Sequence, residues 1–346
     1  MSSINVLDIV EAAYQWGDRD EQWLSTILDL SRGALDRGYG LVGHLYNFCT
    51  SDARQALETS ALIGPPGMDL FAIWHRMFRD LPDQLVARGT RYICISAPLF
   101  TARRAMQIEV RDVEVLFDRY LGRFGVADSL ALNAHATARE GLMINIPSRD
   151  IVSLDPPTRR RWSMITAHLA SGLRLRRALH AAAAAGSVAD PIEAVLSPDG
   201  RLEDASGPAQ TPQAREALRA FVSLLDRSRA QAARSGGEAV DKTLALWTGL
   251  VDGRWSVVDR FESDGRRYLV AYRNDCSLPD PRALHPREAQ VCRLVAYGHA
   301  NKYIAYELGL STSTVGTYIS SAQQKLRASS RVELIQLLRA ALTTPS

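Results

Sequence analysis

The chain has 346 residues, which at roughly 100–200 residues per domain suggests two or three domains. Its 46% hydrophobic, 23% charged and 7% aromatic residues are ordinary for a globular protein and exclude a wholly disordered or fibrous chain. The 41 basic and 38 acidic residues nearly cancel to +3, yet residues 282–346 hold eight basic residues against three acidic ones, so the positive excess sits at one end.

Four cysteines, Cys49, Cys94, Cys276 and Cys292, are widely spaced with no CxxC pair. That argues against a zinc site or a disulfide framework and for reduced thiols. The N-terminal stretch has no basic flank followed by an apolar run, so no signal peptide is expected. No segment approaches the ~18–20 apolar residues of a membrane helix. The expectation is a soluble cytoplasmic protein with no membrane partner, no metal and no cofactor.

In chain order, Trp23, Leu24, Ile27, Leu28 and Leu30 recur at helical spacing and predict an amphipathic helix over 20–35. Gly38 and Gly40 interrupt the chain, and YGLVGHLYNF at 39–48 is strand-like. Gly64-Pro65-Pro66-Gly67 predicts a loop, and 69–78 a helix. RYICISA at 91–97 predicts a buried strand, and 109–120 a helix. Residues 129–136 and 141–146 predict two strands across a short polar turn. Asp155-Pro156-Pro157 opens a long helix to about Ala185, with Trp162, Ile165, Leu169, Leu173 and Leu175 as its apolar stripe. This order resembles a GAF-type sensor domain over 1–187, which implies an antiparallel sheet with helices packed on it. A sheet with helices on one face is also simply a common α+β arrangement.

Residues 194–205 predict a hairpin around Pro198-Asp199-Gly200. Helices are expected at 216–231 and 240–250, with Ser235-Gly236-Gly237 between them. Strands are expected at 254–262 and 267–273 around Ser263-Asp264-Gly265. This layout resembles a shortened PAS-like domain over 188–275, with DCSLPDP providing a linker at 276–281.

Residues 282–346 predict four helices. Pro286 at the first helical position and Glu288 two further on mark a start, and Gly298 an end. Asn301 to Leu308 forms a short second helix, followed by a turn at Gly309-Leu310. Ser311 or Thr312 caps a third helix, along which Val315, Ile319, Ala322 and Leu326 form the buried stripe. Ser330 and Glu333 match a capping box opening a fourth helix. A short helix, a glycine turn and a longer helix give helix-turn-helix geometry, whose second member fits a major groove ~12 Å wide. Gly316, Thr317, Ser320 and Gln324 fall on the outward face.

The string LHPREAQVCRLVAYGHANKYIAYELGLSTSTVGTYISSAQQKLRASSRVEL resembles the LuxR-type (GerE-type) helix-turn-helix domain. Leu284, Pro286, Arg287, Glu288, Val291, Gly298, Asn301, Lys302, Ile304, Ala305, Leu308, Ser311, Thr314, Val315, Lys325, Leu326, Ser330, Arg331 and Glu333 match in one gapless register. The whole is thus an α+β sensor region, GAF-like and then PAS-like, followed by an all-α four-helix DNA-binding domain. The resemblance implies binding to duplex DNA as a homodimer through the fourth helix, with RNA polymerase a candidate partner. It implies base-facing roles for Thr314, Gly316, Thr317, Ser320 and Gln324, and phosphate contacts from Asn301, Lys302, Thr312, Tyr318, Lys325 and Arg331. Two positions depart from the family: its usual Lys is Gly316 and its usual His is Tyr318. A glycine inside a helix costs about 0.5–1 kcal/mol relative to alanine. His285 also stands where the family has a capping Thr.

Arg159-Arg160-Arg161 and Arg174, Arg176 and Arg177 suggest either a second nucleic-acid patch or, better, the solvated face of the long helix. His44, Tyr46, Trp74, His75, Cys94 and Asn133 are candidates to line a pocket for an unknown small-molecule or protein signal; a sheet-plus-helix core uses such residues too. No Walker loop, HExxH, GxSxG or other catalytic constellation occurs, so an enzyme is not expected. The reading is a DNA-binding transcription regulator under an N-terminal sensor. The alternative is a protein-interaction module on a helix-turn-helix scaffold that has lost tight DNA binding.

Overall fold

The computed structural model describes the backbone of all residues except 1–5, 16, 50–54, 65–68, 97, 104–110, 138, 185–191, 233–254, 262–266, 274–283, 297–298, 327 and 343–346. The elements begin with α1 (Val6–Ala13), α2 (Asp20–Leu35), β1 (Leu41–Asn47), β2 (Leu57–Ile63), α3 (Leu70–Asp80), α4 (Asp83–Ile95) and β3 (Leu99–Thr101). Next come α5 (Arg111–Tyr120), β4 (Asp128–His135), β5 (Glu140–Ser148), α6 (Pro156–Ala184), β6 (Ile192–Leu196), β7 (Leu202–Ala205) and α7 (Pro212–Ala232). The rest are β8 (Trp255–Phe261), β9 (Arg267–Arg273), α8 (Pro286–Ala296), α9 (Asn301–Leu308), α10 (Thr312–Lys325) and α11 (Arg331–Leu342). The expected loop at Pro65–Gly67, Glu109, the helix at 240–250, the turns at 235–237 and 263–265, the linker at 276–281 and the stop at Gly298 lie outside the described residues.

The chain gathers into two units: Met1–Ser31 with Pro156–Cys276, and Arg32–Asp155 with Ser277–Ser346. In the first, α1 packs flush on α6 because Gly172 has no side chain: a Cβ there would sit 2.0 Å from the Ala13 carbonyl oxygen. Tyr14 and His168 hydrogen-bond at 2.9 Å, and the Trp23 indole donates to the Ala12 carbonyl at 3.0 Å. The expected stripe of Trp162, Ile165, Leu169, Leu173 and Leu175 is buried.

One expectation for this helix fails. Arg176 is not on a solvated face; it is 1% exposed. Its guanidinium donates to the Gln15 and Asp18 carbonyls at 2.7 and 2.8 Å and to Asp20 Oδ1 at 2.8 Å, and lies over the Trp23 ring, 4.9 Å from its centroid. Five donors in a planar fork let arginine satisfy a turn and a carboxylate at once, which makes its burial tolerable. The same unit holds an antiparallel sheet in the order β7-β6-β9-β8, including the expected 194–205 hairpin, with Trp255 Nε1 donating to Glu193 at 2.8 Å.

The second unit is built on an antiparallel sheet in the order β2-β1-β5-β4-β3. Register sorts its residues by face. Gly43, Ile144 and Leu132 align, as do Leu45, Leu142 and Ala134, so one face is apolar. The other face aligns His44 with Met143 and Asn133, and Tyr46 with Gly141 and His135. On this second face Val42 joins Leu70, Ile73, Phe117 and Leu121 in one apolar cluster, and Tyr46 joins Phe48, Ile93 and Cys94 in another.

The strand expected at 91–97 is instead the end of α4. Ile93 and Cys94 continue the period of Val86 and Thr90, all four buried, so one helical face faces inward. The aromatic and β-branched residues that read as a strand are the last turn of that helix; Ser96 closes it, its amide donating to the Ile93 carbonyl.

Candidate nucleic-acid interface

The four C-terminal helices form where the spacing placed them. Their shared core comprises Leu284, Val291, Cys292, Val295, Ile304, Val315, Ile319, Leu326, Leu334 and Leu338, among others. The sharp turn between α9 and α10 depends on Gly309, which adopts φ +64°, a conformation that a side chain disfavours. The Leu310 amide then donates to the Ala305 carbonyl at 2.8 Å. Ser311, not Thr312, caps α10: its Oγ accepts the Thr314 amide at 3.0 Å.

Two polar tethers fix the helices to one another. Glu288, 5% exposed, accepts the His285 amide at 2.6 Å, the Ser321 hydroxyl at 2.7 Å and Lys325 Nζ at 2.7 and 3.0 Å. Burial alone would raise its pKa, but the lysine, the His285 amide and the serine outweigh burial and hold it below the ordinary carboxyl value. Arg331 donates to Asn301 Oδ1 at 2.6 Å and to the His299 carbonyl at 3.0 Å, pinning the start of α11 to the start of α9. At the fourth helix Ser330 Oγ accepts the Glu333 amide, while Glu333 reaches back to the amide of Ser329 rather than Ser330. α11 also packs against α4 of the sheet region.

The candidate DNA-facing residues therefore divide. Thr317, Ser320 and Gln324 are exposed on α10, with Gly316 part-exposed beside them. Thr314 Oγ1 is 2.7 Å from the Ser311 hydroxyl, and the Thr317 hydroxyl donates to the Ser313 carbonyl at 3.1 Å. Lys302 and Thr312 are exposed, and Tyr318 packs partly on the core. Lys325, Arg331 and Asn301 already hold each other's helices in place. Spacing could not show this, since each partner lies 30 or more positions away. Sequence reasoning also passed over Tyr306, 90% exposed, and Tyr303, stacked on His299 at 4.4 Å between centroids.

The candidate pocket residues lie on one face of the five-stranded sheet and the helices over it. Tyr46 donates to Asn133 Oδ1 at 2.8 Å, and Asn133 Nδ2 donates to the Ile93 carbonyl at 2.9 Å and Ser96 Oγ at 2.8 Å. His135 closes this network, 3.3 Å from both the Tyr46 hydroxyl and the Ser96 carbonyl. Burial pushes the Cys94 thiol up to about 12 and Tyr46 well above its ordinary value, so both stay protonated. His44 pairs with Ser60 Oγ at 2.8 Å; burial, with His75 nearby, lowers it to about 4, so it is neutral near pH 7. Trp74 belongs to the other cluster, around Val42 and Phe117, and its buried Nε1 has no partner among the described residues. The arrangement is an uncharged, hydrogen-bonding strip.

A short helix, a glycine-dependent turn and a longer helix with a polar outer face define a helix-turn-helix unit. The sequence pattern described as bacterial regulatory proteins, luxR family, matches residues 282–338, and this segment is a LuxR-type (GerE-type) helix-turn-helix domain. The chain is 40% identical over 63 residues to transcriptional regulatory protein FixJ of Azorhizobium caulinodans, 18% of this chain and 30% of that protein. It is 46% identical over 54 residues to nodulation protein W of Bradyrhizobium diazoefficiens, covering 16% and 24% respectively. The chain thus spans less than a third of either relative's length. No helix among the described residues is long and apolar enough to cross a membrane.

Proposed function

We propose that the chain is a transcription regulator that binds duplex DNA through residues 282–338. The observation that carries this reading is the exposed polar face of α10, with Thr317, Ser320 and Gln324 one turn apart or less, on a segment that matches the luxR family. α10 enters the major groove, α9 lies along the backbone, and Lys302 contacts phosphate. Two copies of the chain bind together. Electrophoretic titration of the full chain against random-sequence duplex tests this: log affinity falls linearly with log salt, and Lys302→Ala weakens binding to all sequences and reduces the slope by about one. Absence of duplex binding in dilute buffer overturns it.

Control comes from the N-terminal region, read as a GAF-like sensor at 1–187 and a short PAS-like unit at 188–275. Supporting this are the two antiparallel sheets and the position of α4. One face of α4 contributes Ile93 and Cys94 to the polar strip around Tyr46, and the same helix packs against α11. A change at the strip therefore has a direct route to the DNA-binding domain. A second reading, a protein-interaction module, is favoured by the exposed Tyr303 and Tyr306 on α9, since tyrosine is enriched at protein interfaces.

A further inference from the structure

Glycine inside a helix normally answers an internal demand. Gly309 supplies a positive φ, and Gly172 lets the Ala13 carbonyl approach. Gly316 meets neither demand. It lies in the interior of α10, four residues after Thr312 and nine before Lys325. It is absent from the positive-φ glycines, and a Cβ built on it would meet no atom within 4 Å. The fold would accept alanine there without displacement and would gain stability from it, because alanine is the better helix former. Whatever needs the missing side chain is thus outside the chain. Gly316 sits one turn after Ser313 and one turn before Ser320, both exposed, on the face already assigned to DNA.

We infer that Gly316 is a close-approach position: the bare α10 backbone there comes into van der Waals contact with the wall of the major groove. Glycine is the residue that allows such contact between backbone and ligand. Gly316 thereby sets how deeply α10 seats and which bases Thr317, Ser320 and Gln324 reach, and it acts as a positioning residue rather than through any group of its own. This rests on the DNA-binding reading above.

The test compares the full-length wild type with Gly316→Ala and Gly316→Leu, measuring thermal unfolding and duplex affinity on one selected site. Gly316→Ala should raise the unfolding midpoint while weakening binding at least tenfold, with the salt slope unchanged because no charge is lost. Gly316→Leu should weaken binding further. Stability and affinity moving in opposite directions separate close approach from a folding defect. Wild-type binding with Gly316→Ala binding as tightly or more tightly overturns the inference alone. A wild type that ignores duplex overturns the DNA-binding reading and this inference with it.

Discussion

Lys325 Nζ and Glu288 Oε2 lie 2.7 Å apart across 37 positions of sequence, and the carboxylate is the more deeply buried partner, its side chain 6% exposed against 36% for the lysine. This pair ties α10 to the start of α8 and holds the DNA-facing helix in register.

Lys325→Met should therefore act first on the fold. It leaves Glu288 with its hydroxyl and amide donors but without its counter-charge, a loss of about 1–3 kcal/mol. Amide hydrogen exchange at Val315 and Ile319 in the full chain should accelerate accordingly. Unchanged exchange, with weaker DNA binding, would instead make Lys325 a phosphate contact.

His44 makes the sheet region sensitive to acid. Its folded pKa is about 4, against 6.5 when unfolded, because burial and the nearby His75 disfavour the imidazolium. Between those values the unfolded chain binds the extra proton and the folded one does not, so stability rises with pH. The contribution is complete above pH 6.5 and is lost as pH falls toward about 4, on the order of 3 kcal/mol in total. Denaturant titrations across this range should show the decline, and His44→Gln should flatten it. A decline that persists in His44→Gln would place the titrating group elsewhere.

Arg176→Lys should be strongly destabilising despite conserving charge. The guanidinium serves two carbonyls and Asp20 at once and lies over Trp23; an ammonium group on a flexible stem does not reproduce that planar fork. Breaking such a buried arrangement costs about 3 kcal/mol or more. Thermal unfolding of the full chain checks it, and a midpoint within a degree of wild type would refute the clamp.

Much of this architecture could be read from periodicity. The four C-terminal helices carry start, turn and stop residues that agree with their apolar stripes, so local and global signals coincide. β4, β5 and α6 were legible for the same reason. RYICISA was misread because a short apolar run with β-branched and aromatic residues does not separate a strand from a buried helical turn; extending the window back to Val86 would have shown the four-residue period. α1 also had its signal, in Val6, Ile9, Val10 and Ala13, which are buried at helical spacing. The site was less legible than the fold. Arg331 with Asn301, Glu288 with Lys325, and Arg176 with the turn after α1 are long-range pairs, and one-dimensional spacing carries no trace of them.

The seam at Gly172 has a practical meaning for handling the protein. Where two helices meet with no room for a methyl group, the contact admits no graded loosening: α1 is either seated or gone. Trimming the first thirteen residues would uncover Leu169 and leave His168 without the Tyr14-bearing segment held against it. A shortened recombinant product would bear a greasy scar along α6, so clumping in such a preparation would report the lost leading helix and carry no information about assembly of the intact molecule.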